Sequence, residues 1–286
     1  MVRRRSTAIA AVLAVALMVS ACSMEIDGHD GCTGACGDER LNSVLWAQTA
    51  AEYAMVCGQS YALARLMLDE ALADPSWTAA LEQSGAYEDL PPAIILDVDE
   101  TVLDNAAFDA RLIRAGLDYD SGLWKTWVAE ERAPALEGAA EFLEYAASRG
   151  VEIFYVTNRK EVSREATARN IAAVGLPSGD PEHVLCRNGR EDWGRDKTTR
   201  RGYVAEGHRV LLLLGDNLND FVSGGAVPPA ERVELASKHR DMWGRGWITL
   251  PNSIYGQWDD ALSGFDDDLP KDEKNLKRMA HLETLE

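Results

Sequence analysis

Three short apolar runs in this 286-residue chain end in side chains that can do chemistry. Ile94-Ile95-Leu96 runs into Asp97-Val98-Asp99-Glu100-Thr101, Phe154-Tyr155-Val156 into Thr157-Asn158-Arg159, and Leu212-Leu213-Leu214 into Gly215-Asp216-Asn217-Leu218-Asn219-Asp220. Carboxylates gathered at strand ends repel one another unless a cation or a proton compensates them. Hard oxygen donors of this kind suit Mg²⁺, which keeps some of its waters and takes substrate phosphate as a further ligand. A lysine, Lys197, precedes the last cluster and could serve the same anion. A single Asp-x-Asp after a strand is commonly a turn or a helix cap. Three polar strand ends in order, with a lysine, are not explained that way. A calcium loop fails at both carboxylate clusters, because Thr101 and Val102 fill the fifth and sixth positions after Asp97 and Leu218 fills the third after Asp216.

The elements that must position these residues follow from periodicity. Ala93 to Leu96, Val151 to Val156 and Val210 to Leu214 read as strands covered on both faces. Helical segments lie between and around them, over Gly138 to Ser148, Ser163 to Ala173 and Lys197 to Ala205. That alternation predicts an α/β fold, a three-layer Rossmann-like parallel sheet with right-handed crossovers. Ligands in such sheets sit beyond the carboxyl ends of the strands, where all three clusters fall. Leu41 to Leu72 predicts a long N-terminal helix, Asp74-Pro75-Ser76 breaks it, and a short second helix is expected over Trp77 to Gln83. Residues 106 to about 134 form an insert with Phe108, Tyr119, Trp124 and Trp127, expected to lie over the strand ends. A tail begins at about residue 260.

With these segments in view, the chain resembles the haloacid dehalogenase (HAD) superfamily, whose motifs are Asp-x-Asp-x-Thr, a strand-terminal Thr, a Lys and Gly-Asp-x-x-x-Asp. More narrowly it resembles the class C bacterial acid phosphatases, outer-membrane lipoproteins that include 5′-nucleotidases. Leu45 to Thr49, Ala51 to Tyr53, Ile95 to Asn105, Val151 to Arg159, Gly215 to Phe221 and Leu250 to Gly256 carry that likeness, over about residues 41–258. The resemblance implies an HAD-like core, Mg²⁺ as cofactor and a small phosphomonoester as substrate, a nucleoside 5′-monophosphate by the narrower likeness. Asp97 would be the nucleophile that forms an aspartyl-phosphate, and Asp99 the acid and then the base. Thr157, Asn158 and Lys197 would hold the phosphoryl oxygens. The metal would lie between Asp97, the backbone carbonyl of Asp99, and Asp216. Asp220 is either a further ligand or the group that orients Lys197. Trp124 and Tyr255, with Phe108 as a third aromatic, would take the base of a nucleotide. Thr101 either bonds the motif loop or caps a helix, and Arg159 either contacts substrate or pairs at the surface. Arg187, Arg190, Arg195, Lys197, Arg200 and Arg201 supply a basic stretch, most of whose arginines are expected on a solvated helix face. Two rival readings stay open: phosphoryl transfer to another alcohol on the same scaffold, and a surface lipoprotein that binds without catalysis.

Arg3-Arg4-Arg5 and the apolar run Ala8 to Val19 read as a signal peptide over residues 1–21, too short to span a bilayer comfortably. Val19-Ser20-Ala21-Cys22 resembles a bacterial lipobox, which would make Cys22 the lipidated residue of a flexible stalk over residues 22–40 and place the domain at 41–286. Ser23 after that cysteine points to the outer membrane by bacterial sorting habits, or to the cell membrane in a host without one. Export permits disulfides, and Cys32, Cys36, Cys57 and Cys186 allow three pairings. His29, Cys32 and Cys36 lack the second ligand pair of a zinc finger. Asp and Glu outnumber Lys and Arg by 47 to 29, a net charge of −18. That balance argues against general nucleic-acid binding and requires a locally basic site for any anionic substrate.

Overall fold

The computed structural model describes residues 38–284. Cys22, Cys32 and Cys36, with the leader and most of the stalk, lie outside them. A five-stranded parallel sheet forms the middle layer: β1 (Pro92–Leu96), β2 (Glu152–Lys160), β3 (Val184–Arg187), β4 (Arg209–Gly215) and β5 (Trp247–Thr249), in the order β3-β2-β1-β4-β5. Successive side chains of a strand face opposite ways, so each apolar run serves two cores. Ile94, Leu96, Ile153, Tyr155, Leu212 and Leu214 join one core, and Ala93, Ile95, Phe154, Val156, Val210 and Leu213 the other. Burial on both faces is why these strands read as continuous apolar runs.

The first face is covered by α2 (Ala51–Ala73), α5 (Ala139–Ser148) and α6 (Arg164–Ala173). Tyr53, Cys57, Tyr61, Ala64, Leu68 and Ala71 make the buried stripe of α2, spaced by threes and fours. Gly138, with φ of +84°, opens α5, and a Cβ there would press on Gly58 and Tyr61 of α2. The second face is covered by α7 (Thr198–Gly207), whose Val204 and Ala205 are buried, and by Phe221 and Trp193 from loops. α8 (Pro229–Lys238) lends this core the partly buried Leu235. The expected long N-terminal helix is broken at the extended Ala50, which separates α1 (Leu41–Thr49) from α2.

The short helix expected over Trp77 to Gln83 does not form. Its side chains serve β4 instead: the Trp77 indole donates to the Leu211 carbonyl, the Ala79 N–H to the Val210 carbonyl, and Gln83 both accepts from Val210 N–H and donates to the Ala205 and His208 carbonyls. These bonds hold Trp77 to Ala80 against β4, and a turn over Leu81 and Glu82 follows, closed by the Gln83 N–H on the Ala80 carbonyl. The insert is α3 (Ala106–Ala115) and α4 (Ser121–Ala129), the latter capped by the Asp120 carboxylate on the Gly122 and Leu123 N–H groups. The chain returns from it through a bridge between Leu103 and Ala135. The tail forms α9 (Gln257–Ser263) and α10 (Lys271–Met279); Arg278 joins the two through Asp259 at 2.6 Å and ties α10 to Glu39 at 3.0 Å. Cys57 and Cys186 are both buried and free, so the pairing of those two does not form. Among the described residues no helix is long and apolar enough to cross a membrane.

Candidate active site

β1 lies at the centre of the sheet with β2 on one side and β4 on the other, which sets the three clusters side by side. Leu96 is in register with Tyr155 and with Leu214, and the Asp97 N–H donates to the Leu214 carbonyl at 2.9 Å. Asp97 therefore emerges beside Gly215 and Asp216, with Thr157 on its other flank. Oxygens of Asp97, Asp216 and Asp220 all lie within 4.8 Å of one another. The Lys197 ammonium, almost fully buried, bridges Asp97 Oδ1 at 2.5 Å and Asp220 Oδ1 at 2.6 Å. Asp220 Oδ2 accepts the Asn217 N–H, which closes the loop after β4 into a capping box. Gly215 makes this turn possible, because any side chain there would collide with the Asp220 carboxylate.

Electrostatics at this end of the sheet are dominated by burial. Burial pushes the Asp97 carboxyl up to about 7, against the pull of Lys197 and with the repulsion of Asp220 and Asp99. Asp216 is raised well above the usual carboxylate range by burial, then by Asp220 and Asp97, although the Asn252 amide donates to it at 2.7 Å. Burial works to lower Lys197, but Asp220 and Asp97 outweigh it and hold the ammonium above its usual range. Three clustered carboxylates thus face one lysine. Asp97 Oδ2 and Asp216 Oδ1 accept no hydrogen bond among the described residues, whereas both Asp220 oxygens are engaged. This is a hard, anionic donor set short of positive charge, and it fits a small divalent cation.

Three comparisons bear on what such a site belongs to. A model of the HAD superfamily, subfamily IIIB (acid phosphatase), matches residues 6–258. The chain belongs to that acid phosphatase family. The class C acid phosphatase from Bacillus anthracis superposes with a TM-score of 0.78 at 33% identity, over 86% of this chain and 98% of that one. The same enzyme with tungstate bound gives 0.77, with the same identity and coverage. Acid phosphatase 1 from Solanum lycopersicum is 31% identical over 134 residues, 45% of this chain and 51% of the tomato protein. The chain thus spans about half the length of that curated relative.

Within this acid phosphatase family member the remaining site residues fall into place, some of them not as expected. Thr157 is fully buried within β2, just before its pairing with β3 shifts register, its hydroxyl accepts the Arg159 N–H at 3.1 Å, and Asn158 is exposed beside it. Arg159 neither pairs at the surface nor reaches outward: it is 3% exposed and forks onto the Asp99 carboxylate at 2.7 Å. The Thr101 hydroxyl is buried without a partner among the described residues, and its carbonyl accepts the Tyr61 hydroxyl at 2.5 Å, so it caps no helix. Arg200 and Arg201 are not a solvated face. Arg200 is fully buried and donates to the Thr157 carbonyl and to Asn158, and burial lowers its guanidinium to about 10. Arg201 holds Glu82 and the carbonyls of Asn219 and Asp220, which fixes the loop carrying the last carboxylate.

Phe108 sits inside the insert, 5% exposed, edge-on to Trp124 at 5.1 Å, so it is packing and not a surface open to a ligand. Trp124 is half-buried, with the Arg159 guanidinium 5.5 Å from its ring centre. Tyr255 is half-buried against Val44, Ala106, Ile113 and Ile254. Sequence reasoning gave no role to Asn105 or to Asn252, the donors to Asp99 and Asp216. Both lie in segments that carry the family likeness; Asn105 also follows the carboxylate motif closely, whereas nothing beside Asn252 marks it.

Proposed function

We propose that the protein is a magnesium-dependent phosphomonoesterase that works through an aspartyl-phosphate on Asp97. The observation that carries this reading is the Lys197 ammonium held between Asp97 and Asp220, with Asp216 in the same cluster. A lysine so placed leaves Asp97 Oδ2 as the free nucleophilic oxygen and offers remaining N–H donors to a phosphoryl group. Asp97 attacks phosphorus, the ester P–O bond breaks, and the leaving oxygen takes a proton from Asp99. Asp99 then draws a proton from the water that releases phosphate. Thr157 and Asn158, braced by Arg200, flank the phosphoryl group. Asp97, Asp216 and the backbone carbonyl of Asp99 would hold Mg²⁺, which when bound offsets the charge of phosphate approaching a carboxylate. Asp220, with both oxygens engaged, orients Lys197. Tungstate, the tetrahedral oxyanion bound to the Bacillus anthracis relative, is the shape this site would accept.

For the substrate we propose a nucleoside 5′-monophosphate, its base against Trp124 and Tyr255. Each residue is one intermediary from a site carboxylate: Trp124 through Arg159 to Asp99, and Tyr255, whose backbone N–H meets Asn252 at 3.5 Å, through Asn252 to Asp216. Stacking contributes about 1–3 kcal/mol per base and tolerates any base. Phosphate release from AMP and from glycerol phosphate, with Mg²⁺ and with a chelator, tests both proposals. Activity on neither ester with the metal present would overturn the phosphatase reading. Trp124→Ala and Tyr255→Ala are expected to raise KM for AMP at least about five-fold and to leave glycerol phosphate nearly unchanged. Equal losses on the two substrates would sink base stacking.

We also propose that residues 1–21 direct export and that Cys22 carries a lipid anchor to the outer membrane. The arginines, the apolar run and the Ser-Ala-Cys ending support it. Detergent partitioning of the expressed full chain is expected to move it to the detergent phase, and Cys22→Ser to the aqueous phase. Partitioning of both into the aqueous phase would end the claim.

A further inference from the structure

Asp99 is held asymmetrically. Its Oδ1 accepts Arg159 Nη2 at 2.7 Å, Arg159 Nε at 3.0 Å and the Asn105 amide at 2.9 Å. Among the described residues its Oδ2 meets only Arg159 Nε, at 3.3 Å. One oxygen is saturated with donors and the other is left for a proton or a leaving group.

Asn105 arrives at this contact by an unusual route. It occupies the N-cap of α3, a position where Asn normally accepts the orphan N–H groups of the first turn, yet its side chain makes no capping bond. Asp104 takes over part of that task by accepting the Ala106 N–H at 2.8 Å. The fully buried Asn105 side chain turns inward, and its Oδ1 accepts the Trp127 indole N–H at 2.8 Å and Arg159 Nη2 at 3.4 Å. A carboxamide can sit either way round in such a space, and its donors decide which. Trp127 and Arg159 both demand the oxygen, so the NH₂ is forced towards Asp99. Without the indole N–H the amide oxygen keeps only the 3.4 Å contact to Arg159, so the side chain is held less firmly and its bond to Asp99 loosens. Trp127 belongs to α4, part of the insert, and is 4% exposed. The position of Asp99 is therefore set partly from outside the strand ends.

We propose that Asn105 and Trp127 are positioning residues for Asp99, acting with Arg159 to bind one carboxylate oxygen and leave Oδ2 as the working one. The proposal rests on Asp99 as the acid. In that step the Asp97–phosphorus bond forms, the ester bond breaks, and the proton on Oδ2 passes to the leaving oxygen.

The test is kcat/KM of the whole chain on two esters, since kcat/KM reads only through departure of the leaving group. Glycerol phosphate needs a proton on its leaving oxygen, whereas p-nitrophenyl phosphate releases a stable anion and needs none. Trp127→Phe keeps an aromatic ring but removes the N–H together with part of the buried indole, and Asn105→Ala removes the amide itself should the first variant fold poorly. Each is expected to lose at least about ten-fold on glycerol phosphate and less than about three-fold on p-nitrophenyl phosphate, as part of the 10²–10⁴ that a general acid supplies. Equal losses on both esters, or none on either, would overturn the positioning role. Asp99→Asn, assayed alongside, separates the two claims. If it fails to discriminate between the esters, the acid reading falls and this proposal with it. If it discriminates and the other two variants do not, only the positioning role falls.

Discussion

Asp97→Asn is expected to lose more than about 1,000-fold in phosphate release while the protein stays folded. The amide has the shape of the carboxylate, so the pocket between β1 and Lys197 is not emptied. Asp220 still pairs Lys197 at 2.6 Å, so the buried ammonium keeps a counter-charge. Removing a carboxylate that burial already pushes up to about 7 relieves repulsion with Asp220 and Asp99 and does not expose a new unpaired group. On the proposed mechanism what disappears is the nucleophile, because an amide oxygen does not attack phosphorus at a useful rate. Steady-state kcat with a circular dichroism melt checks both halves. Retention of more than about a hundredth of wild-type kcat, a barrier change under roughly 3 kcal/mol, would exclude covalent catalysis at this position.

Asp97 is also the residue whose place the sequence showed most directly, and the reason is physical. A parallel strand buried on both faces reads as an unbroken apolar run, and ligands gather where such runs stop, so β1, β2 and β4 announced themselves together with their terminal clusters. β3 and β5 did not. Val184–Arg187 and Trp247–Thr249 are four and three residues long, too short for any periodicity to register. The segment from Trp77 to Gln83 failed for the opposite reason: its local pattern suits a turn of helix, but its backbone and side-chain bonds go to β4, a partner over a hundred residues away. Arginines 159, 200 and 201 were misplaced because a guanidinium is buried only when carboxylates and carbonyls surround it, and those partners come from distant elements. Thr157 lends its carbonyl to Arg200, Glu82 its carboxylate to Arg201, and Asp99 its carboxylate to Arg159. The roles of Asn105 and Trp127 likewise depend on which way a buried amide faces, and spacing along the chain carries no trace of that.

Lys197 leads to the second large effect. It is 3% exposed and is the ammonium shared by Asp97 and Asp220. Lys197→Met fills much of the same volume and leaves two buried carboxylates uncompensated, which costs about 3–5 kcal/mol for a buried pair broken on one side. On the proposed mechanism it also removes a donor to the attacked phosphoryl group, and loss of one such donor costs about 10²–10³ in kcat. Stability and activity therefore fall together in this variant, which alone would not separate catalysis from unfolding. Pairing it with Asp220→Asn does. The double variant has one less buried charge and keeps an acceptor for the Asn217 N–H, so urea unfolding at pH 7 is expected to recover at least about half of the lost stability. Activity is expected to stay as low as in Lys197→Met, because the donor to phosphate is still missing. Recovery of kcat together with stability would show that Lys197 only holds the fold. A Lys197→Met protein as stable as the wild type would show that the cluster does not depend on this ion pair.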